Sequence, residues 1–545
     1  MRQQIFSKRL FVLTVLLALV LIGSITGQRS EKGAPVENKL SYVPGELLVK
    51  FKDGAESNFA RSVNSIMGTT AVETLGDNNW QRVKLPDGMS VEGAISSYSL
   101  LSGVDYAQPN YYYHILATPN DAQFTSTGMY GLTKIGAYSA TPGMGAWDLS
   151  TGSSSIVVAD IDTGLGYTHQ DIAANAWSNP GELANGVDDD GNGFVDDIRG
   201  IDVFNNDTNP IDDNASTSWH GTHTAGTIGA VGNNALGVVG VNWNVKLMSI
   251  KLYASTGGGT NSTSAMLVNA YAYITMMKLR GVNIRATNNS YGNCGEACGY
   301  DQATKDGIDA MGEAGIVNVY AAGNDNNNND TNPGISYPSV YNSPSIISVA
   351  SSTSSDSKSS FSSYGLTSVD LAAPGSQILS TVFSSTTSYG SLSGTSMATP
   401  HVTGAVALLA SYRPDLSVAS LKASLLNNVD VLPAWSTLVK TGGRLNVFKA
   451  MQNPTVCNFN NGATQIRSRA AGGTFSINIP AATNCDYFVK SNNAWVTRNT
   501  AEVMSGTNTV SITVGNNTGM PRTGSVTIGG QIYTIVQGGS GRKGI

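Results

Sequence analysis

Residues 157–164 read Val157-Val158-Ala159-Asp160-Ile161-Asp162-Thr163-Gly164, an apolar, strand-like run that stops on an acid, a hydroxyl and a glycine. Similar runs follow at 246–252, 282–286, 316–321 and 346–349, and helical patterns separate them. One pattern starts near Ser264, carries Met266, Ala270, Tyr273 and Met277, and is closed by Gly281; another begins around Gln302. Strands that alternate with helices predict a parallel α/β sheet within residues 116–452. Ligands of such sheets gather at the carboxyl ends of the strands, and Asp162 ends the first of them.

Upstream, the order is strand (46–52), helix (56–67), strand (80–85), helix (90–101) and a strand near 104–106, which predicts a small α+β unit within residues 28–115. It has no cysteine and no histidine before His114, so its residues suggest no catalytic role. Downstream, residues 453–540 turn to short alternating runs at 465–468, 474–479, 487–490, 510–514, 525–528 and 532–536, the pattern of an all-β sandwich. Residues 1–27 combine basic Arg2, Lys8 and Arg9 with an apolar run over 10–23 and small Ser24, Thr26 and Gly27, which predicts a secretory signal peptide. No later stretch reaches about 18 consecutive apolar residues, so no membrane association is expected after its removal.

Composition agrees with export. At about 150 residues per domain, 545 residues predict several segments. Only 13% are charged, against about 25% in an average soluble protein, and 61 are glycine, so polarity comes from Ser, Thr and Asn. A net charge of -6 offers no polycationic surface, which excludes nucleic acid as an expected partner. In an exported chain the four cysteines are candidates for two disulfides, with three possible pairings. Their segregation along the chain favours Cys294 with Cys298 and Cys457 with Cys485.

Three local patterns carry chemistry: Asp162-Thr163-Gly164, His220-Gly221-Thr222-His223 and Gly394-Thr395-Ser396-Met397-Ala398-Thr399-Pro400. An acid, an imidazole and a hydroxyl form a nucleophilic triad when they are spatial neighbours. Asp-Thr-Gly alone also suits an aspartic protease, but that mechanism needs a partner carboxylate, and no second Asp-Thr-Gly or Asp-Ser-Gly occurs. Asp160, on the same strand face, is the nearest competing acid, and the glycine context places the catalytic role on Asp162. His223 and His401 read as packing or hydrogen-bonded histidines.

Together, and in this order, these segments resemble the three signatures of the subtilisin-like serine proteases, a resemblance that covers most of residues 120–450. It implies Ser396 as nucleophile, His220 as general base and then acid, and Asp162 as the group that orients the imidazolium. Tyr320-Ala321-Ala322-Gly323-Asn324 resembles the family's oxyanion segment, which implies Asn324 as one donor and the Ser396 N–H as the other. Ser290-Tyr291-Gly292, with Ala322 and Gly323, resembles the strand and wall that bind substrate, and Ser336-Tyr337-Pro338 the far wall of the specificity pocket. These wall segments carry no acid, so apolar or aromatic side chains are the expected preference.

The run 188–197 places side-chain oxygens of Asp188, Asp190, Asn192 and Asp196 at calcium-loop spacing, with Gly193 at position six and Arg199 where an EF-hand has its glutamate. The resemblance implies a second calcium site from Asp171, Asn234 and the carbonyls of Leu236 and Val238. Calcium is expected to be structural. Residues 28–115 resemble a subtilase propeptide, which implies a chaperone and inhibitor removed by a cut between Tyr112 and Pro119. The C-terminal region, with Cys457, Cys485, Trp495, Arg522-Thr523-Gly524 and Ile535-Val536-Gln537-Gly538-Gly539, resembles BACON-like modules, which implies a glycan or surface partner or a stabilising appendage. The expected function is a secreted serine endopeptidase acting on proteins and peptides; the alternative is a non-catalytic secreted binding protein on the same scaffold.

Overall fold

The computed structural model describes residues 42–76, 79–111, 118–213, 215, 218–253, 262–292, 300–462 and 464–541. The leader at 1–27, Cys294 with Cys298, and most of the expected maturation segment lie outside the described residues. The chain divides into two compact units, Met1–Tyr113 and His114–Ile545.

The first unit runs β1 (Tyr42–Phe51), α1 (Asn58–Met67), β2 (Thr70–Leu75), β3 (Trp80–Lys84), α2 (Val91–Ser99) and β4 (Val104–Tyr111), with sheet order β2-β3-β1-β4. Leu47, Val49 and Phe51 alternate onto one face of β1 and meet Ala60, Val63 and Met67 of α1 and Val91, Ala94 and Tyr98 of α2. Ser57 and Ser90 cap the two helices by accepting from the N–H of Ala60 and Gly93, each at 3.1 Å. The sequence reading lacked β2. It is an edge strand whose residues 70–73 are exposed, so burial left no alternation to read.

The second unit begins with α3 (Tyr130–Lys134), β5 (Gly152–Asp162), β6 (Gly200–Asp202), α4 (His220–Gly229), β7 (Asn244–Lys251), α5 (Ser264–Leu279) and β8 (Ile284–Asn289). It continues with α6 (Gln302–Glu313), β9 (Val317–Ala321), β10 (Ile346–Ser352), β11 (Leu371–Pro374), β12 (Ile378–Thr381), β13 (Tyr389–Leu392) and α7 (Thr395–Tyr412). Then come α8 (Val418–Asn427), β14 (Asp430–Val431), β15 (Gly443–Arg444) and α9 (Val447–Gln452). Nine strands form one sheet in the order β14-β15-β11-β10-β9-β8-β5-β7-β6, parallel except where β14 meets β15. Side chains alternate between two cores. Val158 faces Ala225, Ile228 and Val402 on α4 and α7, while Val157, Ala159 and Ile161 face Ile274 of α5 and Ile308 of α6. Asp160 and Asp162 share the parity of Val158 and so point to the α4–α7 side. Helix α7 is buried along nearly its whole length, as a helix apolar on all sides must be.

The chain ends in β16 (Gln465–Ser468), β17 (Gly473–Ile479), β18 (Asp486–Ser491), β19 (Val496–Arg498), β20 (Val503–Ser505), β21 (Asn508–Val514), β22 (Arg522–Ile528) and β23 (Gln531–Gln537). They form a five-stranded and a three-stranded sheet that enclose Ile477, Ile479, Tyr487, Val489, Ile512 and Ile528. A Cys457–Cys485 disulfide ties the entry segment to the start of β18. These sheets dock on α8: Lys422 Nζ pairs with Asp486 at 2.7 Å, and Ser420 and Ser424 accept from the N–H of Cys457 and Thr455. Trp495 packs against the sandwich core, and the Arg522 guanidinium lies 4.1 Å from its ring centroid. Among the described residues, no helix is long and apolar enough to cross a membrane.

Candidate active site

Strand β5 lies between β7 and β8, and the chain builds outward from it in both directions, which makes its carboxyl end a topological switch point. Asp162 is its last residue. His220 opens α4, Ser396 stands in the first turn of α7, Ser290 follows β8, and Asn324 follows β9. The sheet thus delivers each of these groups to one edge.

Asp162 accepts from His220 Nδ1 through both oxygens, at 2.8 and 2.9 Å, and from the Thr163 N–H at 2.7 Å. Close approach of the two segments needs glycine, because a Cβ on Gly221 would sit 2.2 Å from the Gly164 carbonyl oxygen. Trp219, before α4, gives no side-chain cap. Two groups from elsewhere supply one: Thr163 Oγ1 accepts from Gly221 N at 2.8 Å, and Asp212 from Thr222 N at 2.9 Å. Burial opposes protonation of His220, but the charge and hydrogen bond of Asp162 hold its pKa above the ordinary value. Burial pushes Asp212 up to about 7 despite its bonds from Thr222.

The Ser396 hydroxyl donates to the Ser290 carbonyl at 3.0 Å, and the Ser290 hydroxyl donates to the Ser396 carbonyl at 2.9 Å. Pro400 explains the second bond. It stands four residues after Ser396 in α7 and has no N–H, so the Ser396 carbonyl has no helical partner and takes one from Ser290. Asn324 Oδ1 accepts from the N–H and hydroxyl of Thr395, at 2.8 and 3.0 Å, which fixes the amide and leaves its NH2 as the outward end. A Cβ placed on Gly394 would lie 3.5 Å from Ser396 N and 3.6 Å from Asn324 Nδ2, so both donors border the same small volume. Beside them opens a cavity of about 130 Å³ lined by Ser290, Tyr291, Gly292, Ala321, Ala322, Gly323, Asn324, Ser336, Thr395 and Ser396, none of them charged.

Residues 153–472 match the subtilase family. The chain belongs to that family. Thermitase of Thermoactinomyces vulgaris is 36% identical over 335 residues, which cover 62% of this chain and 99% of thermitase. A thermophilic serine proteinase of a Bacillus species is 32% identical over 426 residues, covering 77% of this chain and 89% of that protein. An extracellular protease of Xanthomonas campestris pv. campestris is 31% identical over 432 residues, 71% of this chain and 69% of its own length. Residues 28–110 match the fervidolysin N-terminal prodomain. The protein is thus a subtilisin-like serine protease with an N-terminal prodomain and additional C-terminal sheets. His223 and His401 are engaged elsewhere in the fold. Burial lowers the pKa of His223 to about 3 and of His401 to about 4, and each ring bonds a backbone carbonyl.

Subtilases generally bind calcium, whose oxygen ligands lie at about 2.3–2.6 Å and hence at most about 5 Å from each other. Oxygens of Glu182, Asp190 and Asp197 all lie within 4.8 Å of one another, the spacing such an ion needs, and these carboxylates are also engaged by protein groups, with Arg280 paired to Asp190 at 3.1 Å and the Tyr273 hydroxyl donating to Asp197. Of the residues read from loop spacing, Asp190 belongs to this group, and Asn192 borders it by donating to Asp190 and Asp197. Asp188 and Asp196 do not. The first accepts from the N–H of Asn192 and Gly193, the second from those of Asn185 and Gly186, so both brace the loop. Glu182 stands outside the spacing motif and Asp197 falls on an unassigned position, so no local signal pointed to either. The second expected set is assembled but internally satisfied: Asp171 accepts from Asn234 Nδ2, Val238 N and the Tyr389 hydroxyl, and the Leu236 carbonyl accepts from Ala122 N.

Proposed function

We propose that this subtilase is a secreted, self-processing endopeptidase in which Ser396 is the nucleophile, His220 the general base and Asp162 its orienting partner. The observation that carries the reading is the doubly accepted His220 Nδ1–Asp162 bond at the switch point, beside the two donors that border Gly394. With Nδ1–H held by Asp162, Nε2 is the acceptor the mechanism needs. In the step proposed here the Ser396 hydroxyl leaves Ser290 O and gives its proton to that nitrogen as the oxygen attacks the scissile carbonyl. The Ser396 N–H and Asn324 Nδ2 donate to the developing oxyanion. The imidazolium then protonates the leaving amine, and a water activated by the same histidine releases the acyl-enzyme.

The substrate would add as a strand beside residues 290–292 and place one side chain in the 130 Å³ cavity. That volume is close to the roughly 150 Å³ of an apolar cavity that holds benzene, and the lining has no charge to pair with Lys or Arg. Apolar or aromatic residues are therefore preferred. Glu182, Asp190 and Asp197 would hold calcium, which would cross-link the 182–197 loop and stabilise the fold without entering the chemistry. Prodomain residues 28–110 inhibit the enzyme until the chain cuts itself after them. The C-terminal sheets serve as a stabilising appendage, in which Arg522 covers one face of Trp495.

The test is casein hydrolysis by the secreted protein, with and without a serine-directed covalent inhibitor, beside Ser396→Ala. Loss of activity and of self-processing in Ser396→Ala is expected, with cleavages mapped by mass spectrometry after apolar and aromatic residues. A fully processed wild type with no activity would overturn the reading in favour of a binding role, and cuts confined to Lys and Arg would overturn the specificity.

A further inference from the structure

Two residues before Asp162, on the same face of β5, Asp160 is 4% exposed and has no part in the chemistry above. Its Oδ1 accepts from Asn288 Nδ2 at 2.8 Å, and its Oδ2 lies 3.0 Å from Thr224 Oγ1. Thr224 Oγ1 also lies 2.9 Å from the Gly221 carbonyl oxygen. A threonine hydroxyl carries one hydrogen, and a carbonyl oxygen can only accept. If Thr224 donates to Gly221, its contact with Asp160 is a hydrogen bond only when the proton in it belongs to Asp160. A neutral acid satisfies both contacts, whereas a carboxylate would share one hydrogen between two acceptors.

We propose that Asp160 is kept as a neutral carboxylic acid and acts as a positioning residue, joining the helix that begins at His220 to the strand that ends beside Ser290. From Asp160 the network runs both ways. Thr224 belongs to α4, four residues after His220. Asn288 belongs to β8, where its Nδ2 also donates to Ser290 Oγ at 3.0 Å and its Oδ1 accepts from Thr403 of α7 at 3.0 Å. Ser290 Oγ in turn donates to the Ser396 carbonyl. One buried acid thus ties the base-bearing helix, the substrate strand and the nucleophile's helix together.

The surroundings explain the proton. The ionisable groups that bear on Asp160 are Asp162 on its own strand and His220 on α4, while β7 places Ser249 opposite it and β8 places Asn288. Lys251 of β7 stands opposite Asp162, and there it pairs with Asp202 and Asp213. Burial and then the charge of Asp162 push the Asp160 carboxyl well above the usual carboxylate range. Two carboxylates about 7 Å apart along one strand, on the dry side of a sheet, do not both ionise readily.

The inference rests on His220 as the base, so His220→Ala serves as a separate control: an active His220→Ala would sink the triad whatever Asp160 does. With that control inactive, Asp160→Leu and Asp160→Asn are compared with wild type on a chromogenic peptide, as kcat and kcat/KM against pH. Asparagine reproduces a neutral acid, accepting from Asn288 and donating to Thr224. The expected result is a fall of about tenfold or more in kcat/KM for Asp160→Leu, since misplacement by about 1 Å costs roughly 10². Asp160→Asn rescues most of it and leaves the acid limb where wild type has it. A downward move of that limb by about one pH unit in Asp160→Asn, the mark of a lost negative charge near His220, would overturn the proposal. Wild-type kinetics in a folded Asp160→Leu would overturn it equally. If Asp160→Leu does not fold, the Asp160→Asn limb decides alone, with a carboxylic-acid carbonyl band in the wild-type infrared spectrum, absent from Asp160→Asn, as the direct sign of the proton.

Discussion

Replacing Lys422 by methionine tests what fastens the C-terminal sheets to the catalytic unit. Lys422 and Asp486 form a 2.7 Å ion pair with side chains only 4% and 8% exposed. Asp486 Oδ1 finds no hydrogen-bond partner among the described residues, and Lys422, ahead of Lys440 and the Ser505 hydroxyl, is the largest compensation for the buried charge. Lys440, whose side chain is 34% exposed, is engaged with Asp370 at 3.7 Å. Removing one partner of a buried pair typically costs about 3–5 kcal/mol, against a whole-domain stability of about 5–15 kcal/mol. For a folding unit the size of the C-terminal sheets, that corresponds to a fall in Tm of more than about 10 °C. The measurement is thermal unfolding in a Ser396→Ala background, which removes self-digestion. Lys422→Met/Asp486→Leu should recover most of the loss, because the stranded charge goes too. The pH dependence follows from the two shifts. Burial alone would raise Asp486, but Lys422 holds it below the usual range, so its stabilising contribution is present above about pH 4 and disappears as pH falls through the lowered value. Burial alone would lower Lys422, but Asp486 raises it, so that contribution is complete below about pH 10 and is lost as pH rises beyond. In Lys422→Met, burial alone acts on Asp486 and raises its pKa, so the penalty grows as pH rises from about 4 and levels off once that raised value is passed. A penalty under about 1 kcal/mol at about pH 9, or one that shrinks as pH rises from about 4 to about 9, would refute the argument.

Asn324→Ala should lower kcat by about 10²–10³ with little change in KM, a magnitude established on subtilisin itself; a pure KM effect would mean that Asn324 binds ground states. The raised pKa of His220 places protonation, and with it loss of the base, at higher pH than for a free histidine, so the acid limb of kcat/KM should have its midpoint above about 6.5. A midpoint below that value would remove Asp162 as the dominant influence. Chelation should lower Tm in wild type, and Asp197→Asn should abolish the response while Asp188→Asn keeps it; the reverse ranking would restore the loop-spacing assignment. Gly221→Ala forces a methyl to within 2.2 Å of the Gly164 carbonyl and should reduce activity together with stability, read by kcat/KM and Tm.

What the sequence discloses about this enzyme depends on how local the physics is. Asp162, His220, Asn324 and Ser396 each sit in a short segment with its own glycine or helix start, so the residue type and its backbone context are read together. The alternation of runs 156–161, 246–252 and 316–321 was likewise enough for the sheet, because buried parallel strands are apolar throughout. What escaped was set by register and by long-range contact. Asp212 caps α4 from eight residues before His220, across a loop, and nothing in Pro210-Ile211-Asp212 announces it. Glu182 joins Asp190 and Asp197 only after the loop closes on itself. Asn288 and Thr224 meet Asp160 because β5 lies between β7 and β8 and α4 crosses that face, which no spacing along the chain encodes. Strand β2 shows the opposite limit: an edge strand with an exposed face carries no periodic signal at all.

Pro400 gives the active site a mechanical property. A helix that kept every N–H would close its own bonds and be indifferent to its neighbours at the turn that bears Ser396. By leaving one carbonyl without a helical partner, Pro400 makes the nucleophile's turn answer to Ser290, and Ser290 belongs to the segment that a bound peptide would press upon. The same segment holds the resting hydroxyl through its carbonyl. A substrate strand that drew residues 290–292 toward itself, as proposed above, would load both contacts at once and so reach the Ser396 hydroxyl through two short bonds.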